Sequence, residues 1–139
     1  MRKKIILASH GHFASGILSS LRLICGENKS IEALDCYVTK DFDLQKVVEH
    51  LMLDSKNSEI IVITDIFGGS VNNEFLKYIE QHNFYLIAGL NLPFLIELST
   101  KLSTLDSVEV LIRSALEESK HSIQFCNDTF NKKVSEEEF

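Results

Sequence analysis

Short, continuous apolar runs alternate along this chain with segments whose apolar residues recur every three or four positions. The runs are Ile5-Ile6-Leu7-Ala8, Ile60-Ile61-Val62-Ile63 and Phe84-Tyr85-Leu86-Ile87-Ala88. A weaker one covers Ile31 to Val38, where Ile31, Ala33 and Leu34 mix with polar residues. Runs that do not alternate point to strands covered on both faces, as in a parallel sheet. Between them, Phe13, Ile17, Leu21 and Ile24 mark one helical face that Gly26 stops. Leu44, Val47, Val48 and Leu51 mark a second, with Asp41 or Asp43 as N-cap. Phe75, Leu76 and Ile79 follow the Gly68-Gly69-Ser70 turn, and Pro93 opens a short helix at Phe94 to Leu102. Val108, Leu111, Ile112, Ala115 and Leu116 form the last helix, starting near Asp106 or Ser107.

The resulting order is β-α-β-α-β-α-β-α, followed by a short strand at Ser122 to Cys126. That alternation predicts an α/β fold: an open, mainly parallel sheet with right-handed crossovers and helices on both faces. There is no internal linker, repeat or low-complexity segment, so residues 1–139 read as a single domain. The end, Val134 to Phe139 with its three consecutive Glu, reads as frayed, and residues from about 130 onward as a flexible tail.

Composition narrows the function. The 139 residues are 45% hydrophobic, enough for a sizeable core. With 14 basic against 20 acidic residues the net charge is −6, and no Lys/Arg run occurs, which argues against nucleic acid and anionic membrane as partners. An acidic chain of this kind suits a basic protein partner. No apolar run approaches the roughly 18–20 residues of a membrane helix. Met1-Arg2-Lys3-Lys4 before Ile5 imitates a signal peptide, but polar Ser9-His10-Gly11-His12 follows too soon, so a first strand is the better reading. Cys25, Cys36 and Cys126 are widely spaced and odd in number, which implies buried free thiols in a reducing, cytoplasmic setting.

In an open parallel sheet, ligands bind beyond the carboxyl ends of the strands. Three predicted ends carry informative residues: Ser9-His10-Gly11, Thr64-Asp65-Ile66-Phe67-Gly68-Gly69-Ser70, and Gly89-Leu90-Asn91-Leu92-Pro93. A carboxylate that accepts the proton of one imidazole nitrogen leaves the other as a nucleophile and stabilises the cationic ring. A Gly-Gly-Ser turn entering a helix supplies N–H groups and a hydroxyl suited to a phosphoryl group. Taken singly, each residue also has a structural reading: His10 as a hydrogen-bonded strand end, Asp65 as a helix cap, Gly68 and Gly69 as a plain turn, Gly89 and Asn91 as backbone geometry. Their shared edge favours chemistry. His50, His82 and His121 read as solvated, and His12 beside His10 lacks the spacing of a metal site. Phosphate-loop, dinucleotide, nucleophile-elbow and zinc-peptidase motifs are all missing, so no cofactor or metal is expected.

Ser9-His10-Gly11-His12-Phe13-Ala14-Ser15-Gly16 resembles the N-terminal motif of the mannose-family enzyme IIA components of the bacterial phosphoenolpyruvate-dependent sugar phosphotransferase system. Thr64 to Ser70 with Asn73 is similar to the family's second motif, and Ile87 to Glu97 to its third. The resemblance implies a cytoplasmic phosphocarrier. His10 would accept a phosphoryl group from HPr and pass it to a IIB component, with membrane proteins IIC and IID downstream. Asp65 would orient His10, Gly68, Gly69 and Ser70 would face the phosphate, and Ser9, Gly11 and Asn91 would support the loops. It also implies a homodimer, whose fifth, antiparallel strand falls at Ser122 to Cys126. Two departures stand out: Val71 where many relatives have proline, and His12, to which no role is given. No linker to a fused IIB domain is visible, so IIB is expected on a separate chain. The alternatives are a regulatory phosphoprotein and the phosphocarrier subunit of a dihydroxyacetone kinase.

Overall fold

A computed structural model describes residues 2–137. Four strands, β1 (Arg2–His10), β2 (Ile31–Cys36), β3 (Ser58–Thr64) and β4 (Phe84–Ala88), form one parallel sheet in the order β2-β1-β3-β4. The helices are α1 (Phe13–Cys25), α2 (Leu44–Asp54), α3 (Ser70–Leu76), α4 (Leu92–Thr100), α5 (Val108–Ser119) and α6 (Cys126–Glu137).

The continuous apolar runs are explained by burial on both faces. Ile5 and Leu7 of β1, with Ile61 and Ile63 of β3, pack under α1, α4 and α5. Their neighbours Ile6, Ala8, Ile60 and Val62 pack under α2 and α3, with Phe75 fully buried among them. Each fully buried aliphatic side chain contributes roughly 1.5–3 kcal/mol relative to exposure. The four parallel strands and the helices on both faces are therefore as expected from the pattern.

Local signals resolve cleanly where alternatives stood open. Asp43 caps α2 by accepting the Lys46 N–H at 3.2 Å, and Ser107 caps α5 by accepting that of Val110. Asn91 caps α4, which starts at Leu92, so Pro93 lies inside its first turn.

Four expectations need correction. The β2 ladder ends at Cys36 and not at Val38, because β1, its partner, ends opposite at His10 and the Cys36 carbonyl takes the Gly11 N–H instead. Ile24 is exposed, off the buried face of α1. Of the cysteines only Cys36 is buried; Cys25, the last residue of α1, and Cys126, the first of α6, are exposed. Ser122 to Cys126 forms no strand within the chain: residues 122–125 join no ladder and Cys126 starts a helix. A strand exists only by pairing, and this segment instead flanks a cavity of about 220 Å³ beside Ile87, Ala88 and Gly89. Part of the expectation for the last residues, at 138 and 139, lies outside the described residues.

Candidate functional site

The chain leaves β1 for β2 by way of α1 on one face and leaves β3 for β4 by way of α3 on the other. Between β1 and β3 the connections therefore part, and a crevice opens beyond the carboxyl ends of these strands. His10 is the last residue of β1 and Asp65 the first after β3.

The two are hydrogen-bonded. Asp65 Oδ2 accepts the backbone N–H of His10 and the ring Nδ1–H, each at 2.8 Å, while Oδ1 accepts the Ile66 N–H at 3.0 Å. An ionised carboxylate only accepts, so Nδ1 carries a proton, and in the neutral ring Nε2 presents the lone pair. Burial pushes the Asp65 pKa up, but the hydrogen bonds from His10 outweigh it and the net shift is downward. The carboxylate thus stays charged beside the ring. The His10 side chain is 46% exposed, and its Nε2 lies 3.3 Å from Ser70 Oγ.

The turn before α3 is shaped around this ring. Gly68 takes φ +78°, a region costly for residues with a Cβ. A Cβ on Gly69 would stand 2.8 Å from Ile66 Cγ2 and 3.4 Å from His10 Cε1, so only glycine lets the backbone pass this close. Asn73 donates to the Gly68 carbonyl at 3.2 Å, and buried Asn72 accepts the Thr64 hydroxyl at 2.8 Å, tying the first turn of α3 to the end of β3. The first N–H groups of α3 have no intrahelical partner and no side-chain cap.

Tyr37 was missed by sequence reasoning. Its hydroxyl is 2.9 Å from Ser70 Oγ, and its ring centroid is 5.5 Å from that of His10. It directly follows β2 at the same sheet edge, a fourth strand end, which the overlong reading of β2 concealed.

Ser9 and Gly11 hold the turn behind His10. The buried Ser9 hydroxyl accepts the Ala14 N–H at 2.7 Å and donates to the Gly11 carbonyl at 3.1 Å. A second His–Asp pair lies alongside: His12 Nδ1 is 3.0 Å from Asp35 Oδ2, which also accepts the Ser15 hydroxyl, and Oδ1 takes the Ser15 N–H. Asp35, from β2, so caps α1, whose own N-cap His12 provides no side-chain bond. Burial raises the Asp35 pKa, yet these bonds from Ser15 and His12 lower it overall. The Cys36 thiol is pushed up to about 11, chiefly by burial and then by Asp65, so it is no nucleophile here. The side chain of Asn91 bonds to Phe94 and Gly89 in its own turn. His10, Asp65, Gly69 and Ser70 are thus brought into contact, whereas the hydrogen bonds of Asn91 serve α4.

Phe13, Tyr37, Val38, Ile66 and Phe67 are exposed on the loops and helix start at this edge, Phe67 by 83%. A cavity of about 510 Å³ lies instead at the start of β3, between Met52, Ser58, Tyr78 and Asn83, and includes none of these residues. Among the described residues, no helix is long and apolar enough to cross a membrane.

Comparison with known proteins identifies relatives of this arrangement. A family model described as "PTS system fructose IIA component" matches residues 4–115. The structure is similar to that of a candidate phosphoenolpyruvate-dependent sugar phosphotransferase system (PTS) permease from Klebsiella pneumoniae, with TM-score 0.89, 46% identity and coverage of 94% of this chain and 95% of that one. It is also similar to phosphotransferase system component EIIA from Streptococcus agalactiae, with TM-score 0.80, 27% identity and coverage of 91% and 98%. Over 123 residues the chain is 21% identical to the PTS system mannose-specific EIIAB component of Escherichia coli, covering 86% of this chain and 38% of that protein. It therefore spans well under half the length of that curated relative.

Proposed function

The chain belongs to the mannose-type family of phosphotransferase system IIA components, and from that premise we propose that it is a phosphocarrier whose acceptor atom is Nε2 of His10. The observation that carries this reading is the 2.8 Å bond from His10 Nδ1–H to Asp65, which makes Nε2 the nitrogen of the neutral ring that presents its lone pair at a partly exposed strand end.

The chemistry follows from the parts. The lone pair of Nε2 attacks the phosphorus of a donor phosphohistidine, the new N–P bond forms as the donor's N–P bond breaks, and the donor imidazole leaves with the bonding pair. The proton on Nδ1 stays in place, and the positive charge arising on the ring is balanced by Asp65. The Ser70 hydroxyl and the free N–H groups of the Gly68-Gly69-Ser70 turn donate to the phosphoryl oxygens, since phosphoryl transfer depends mainly on positioning and charge stabilisation. Return of the group to an acceptor protein is the same step reversed.

Donor and acceptor in this reading are HPr and a IIB component, with IIC and IID downstream, and residues 1–139 act as one domain. The exposed Phe13, Ile66 and Phe67 around His10 support a protein surface as the partner. No sugar pocket is required at His10. We read the assembly as a homodimer; the outer edge of β4, unpaired among the described residues, and the exposed Ile123 beside it support it.

Incubation with phospho-HPr is the test. Acid-labile label should appear on the wild-type protein, be absent from His10→Ala and chase onto IIB. Label retained by His10→Ala would remove the site assignment.

A further inference from the structure

We propose that Tyr37 is a positioning residue of this site, holding the Ser70 hydroxyl as a hydrogen-bond donor toward His10 Nε2 and toward the phosphoryl group that replaces its lone pair. This role rests on the reading of His10 as the phosphoryl acceptor.

The direction of each proton follows from the partners. Asp65 can only accept, so Nδ1 carries the hydrogen, and in the neutral, nucleophilic ring Nε2 can only accept. Ser70 has one hydroxyl proton, and a bond to that lone pair directs it at Nε2, 3.3 Å away. Its oxygen then faces the Tyr37 hydroxyl at 2.9 Å with lone pairs alone, so Tyr37 donates. The chain runs Tyr37 to Ser70 to His10 to Asp65. Without the first link, Ser70 is free to rotate its proton away.

Backbone conformation points the same way. Tyr37 has φ +64°, and no other non-glycine among the described residues has a positive φ. A bulky side chain is disfavoured there, where Gly or Asn would sit easily. The position is about half exposed, so core packing does not demand tyrosine. The ring instead packs against both His10 and Phe42, the latter in a T-shaped contact with centroids 5.2 Å apart, which aims the hydroxyl at Ser70. When a phosphoryl group occupies Nε2, Ser70 turns its proton to a phosphoryl oxygen, and Tyr37 still holds the Ser70 oxygen.

Tyr37→Phe keeps the ring and removes the hydroxyl. Single-turnover transfer from phospho-HPr should slow roughly ten-fold, the effect of about one hydrogen bond. The ¹⁵N resonance of His10 Nε2 in the free protein should shift downfield, toward that of an unbonded lone pair. Ser70→Ala should give the same shift, and the double variant should transfer no more slowly than Ser70→Ala. A labelled wild type with unchanged rate and resonance in Tyr37→Phe, or effects that add in the double variant, would overturn the role of Tyr37 alone. A wild-type protein that phospho-HPr cannot label would overturn the phosphoryl reading, and this role with it.

Discussion

His10 and Asp65 are joined twice through a single oxygen: Oδ2 takes both the main-chain N–H and the ring Nδ1–H of His10, each at 2.8 Å. The first bond fixes where the carboxylate sits relative to β1, and the second fixes the tautomer of the ring. Position and tautomer of the nucleophile therefore depend on one atom.

Asp65→Asn should separate these roles from the fold. With the amide oxygen toward His10, its NH₂ group meets the Ile66 N–H that Oδ1 now accepts; turned round, it meets both His10 donors. Either orientation leaves donors opposed, at roughly 1–3 kcal/mol of stability. The negative charge facing the cationic ring is also gone, so transfer should slow on the order of 100-fold or more. Stopped-flow or quenched labelling beside circular dichroism measures both. A folded Asp65→Asn variant that transfers at the wild-type rate would refute the orienting role.

Asp35 and Asp65 both have pKa values lowered in the folded chain. Between those values and the unfolded value of roughly 3.9, the unfolded chain binds more protons, so stability rises with pH over that interval. The contribution is fully present above the unfolded value and is lost as pH falls through the folded ones. Urea midpoints should accordingly drop steeply below about pH 4. Asp35→Asn and Asp65→Asn should each be less stable at pH 7 and show a shallower acid limb. Parallel limbs in wild type and variants would contradict this.

Thiol chemistry checks the burial of the three cysteines. Cys25 and Cys126 are exposed and should react promptly with a chromogenic disulfide at pH 8. Cys36 is buried with its pKa pushed up to about 11, and should react only on unfolding. Titration with and without denaturant counts them, and prompt reaction of all three would show that the end of β2 opens readily.

Much of this architecture was legible because strand ends are where apolar runs stop. Ile5 to Ala8 led directly to His10, and Ile60 to Ile63 to Asp65 and Ser70, so a parallel sheet alone placed these residues on one edge. Tyr37 was hidden by the same logic, since an aromatic and a β-branched residue at Tyr37-Val38 look like more strand. Nothing local reveals that the ladder ends at Cys36, because its length is set by where β1 stops. The His12–Asp35 pair was equally unreadable, as the acid lies within β2 and caps a helix earlier in the chain. Ser122 to Cys126 reads as a strand by its place after the last helix and by the family resemblance, but pairing is a property of the neighbour and not of the segment.

Gly68 and Gly69 are adjacent and should fail in different ways. Gly68 has open space where a Cβ would go but φ +78°, so Gly68→Ala carries only backbone strain, about 1 kcal/mol. Its Tm should fall modestly and its transfer rate change little. Gly69 has ordinary backbone angles, but its added methyl would clash with Ile66 Cγ2 at 2.8 Å while already touching His10 Cε1 at 3.4 Å. Ile66 branches at Cβ and cannot simply swing its far end aside, so part of the displacement passes to the imidazole. A shift of a few tenths of an ångström there lengthens the Ser70 contact, already 3.3 Å, and spoils in-line approach to Nε2. Gly69→Ala should therefore lower transfer by roughly ten-fold or more with a smaller loss of stability than that loss of rate would suggest. Thermal melts and single-turnover rates for the two variants decide the matter. Equal rates in both, or a rate loss confined to Gly68→Ala, would mean that the turn does not position His10 through Gly69.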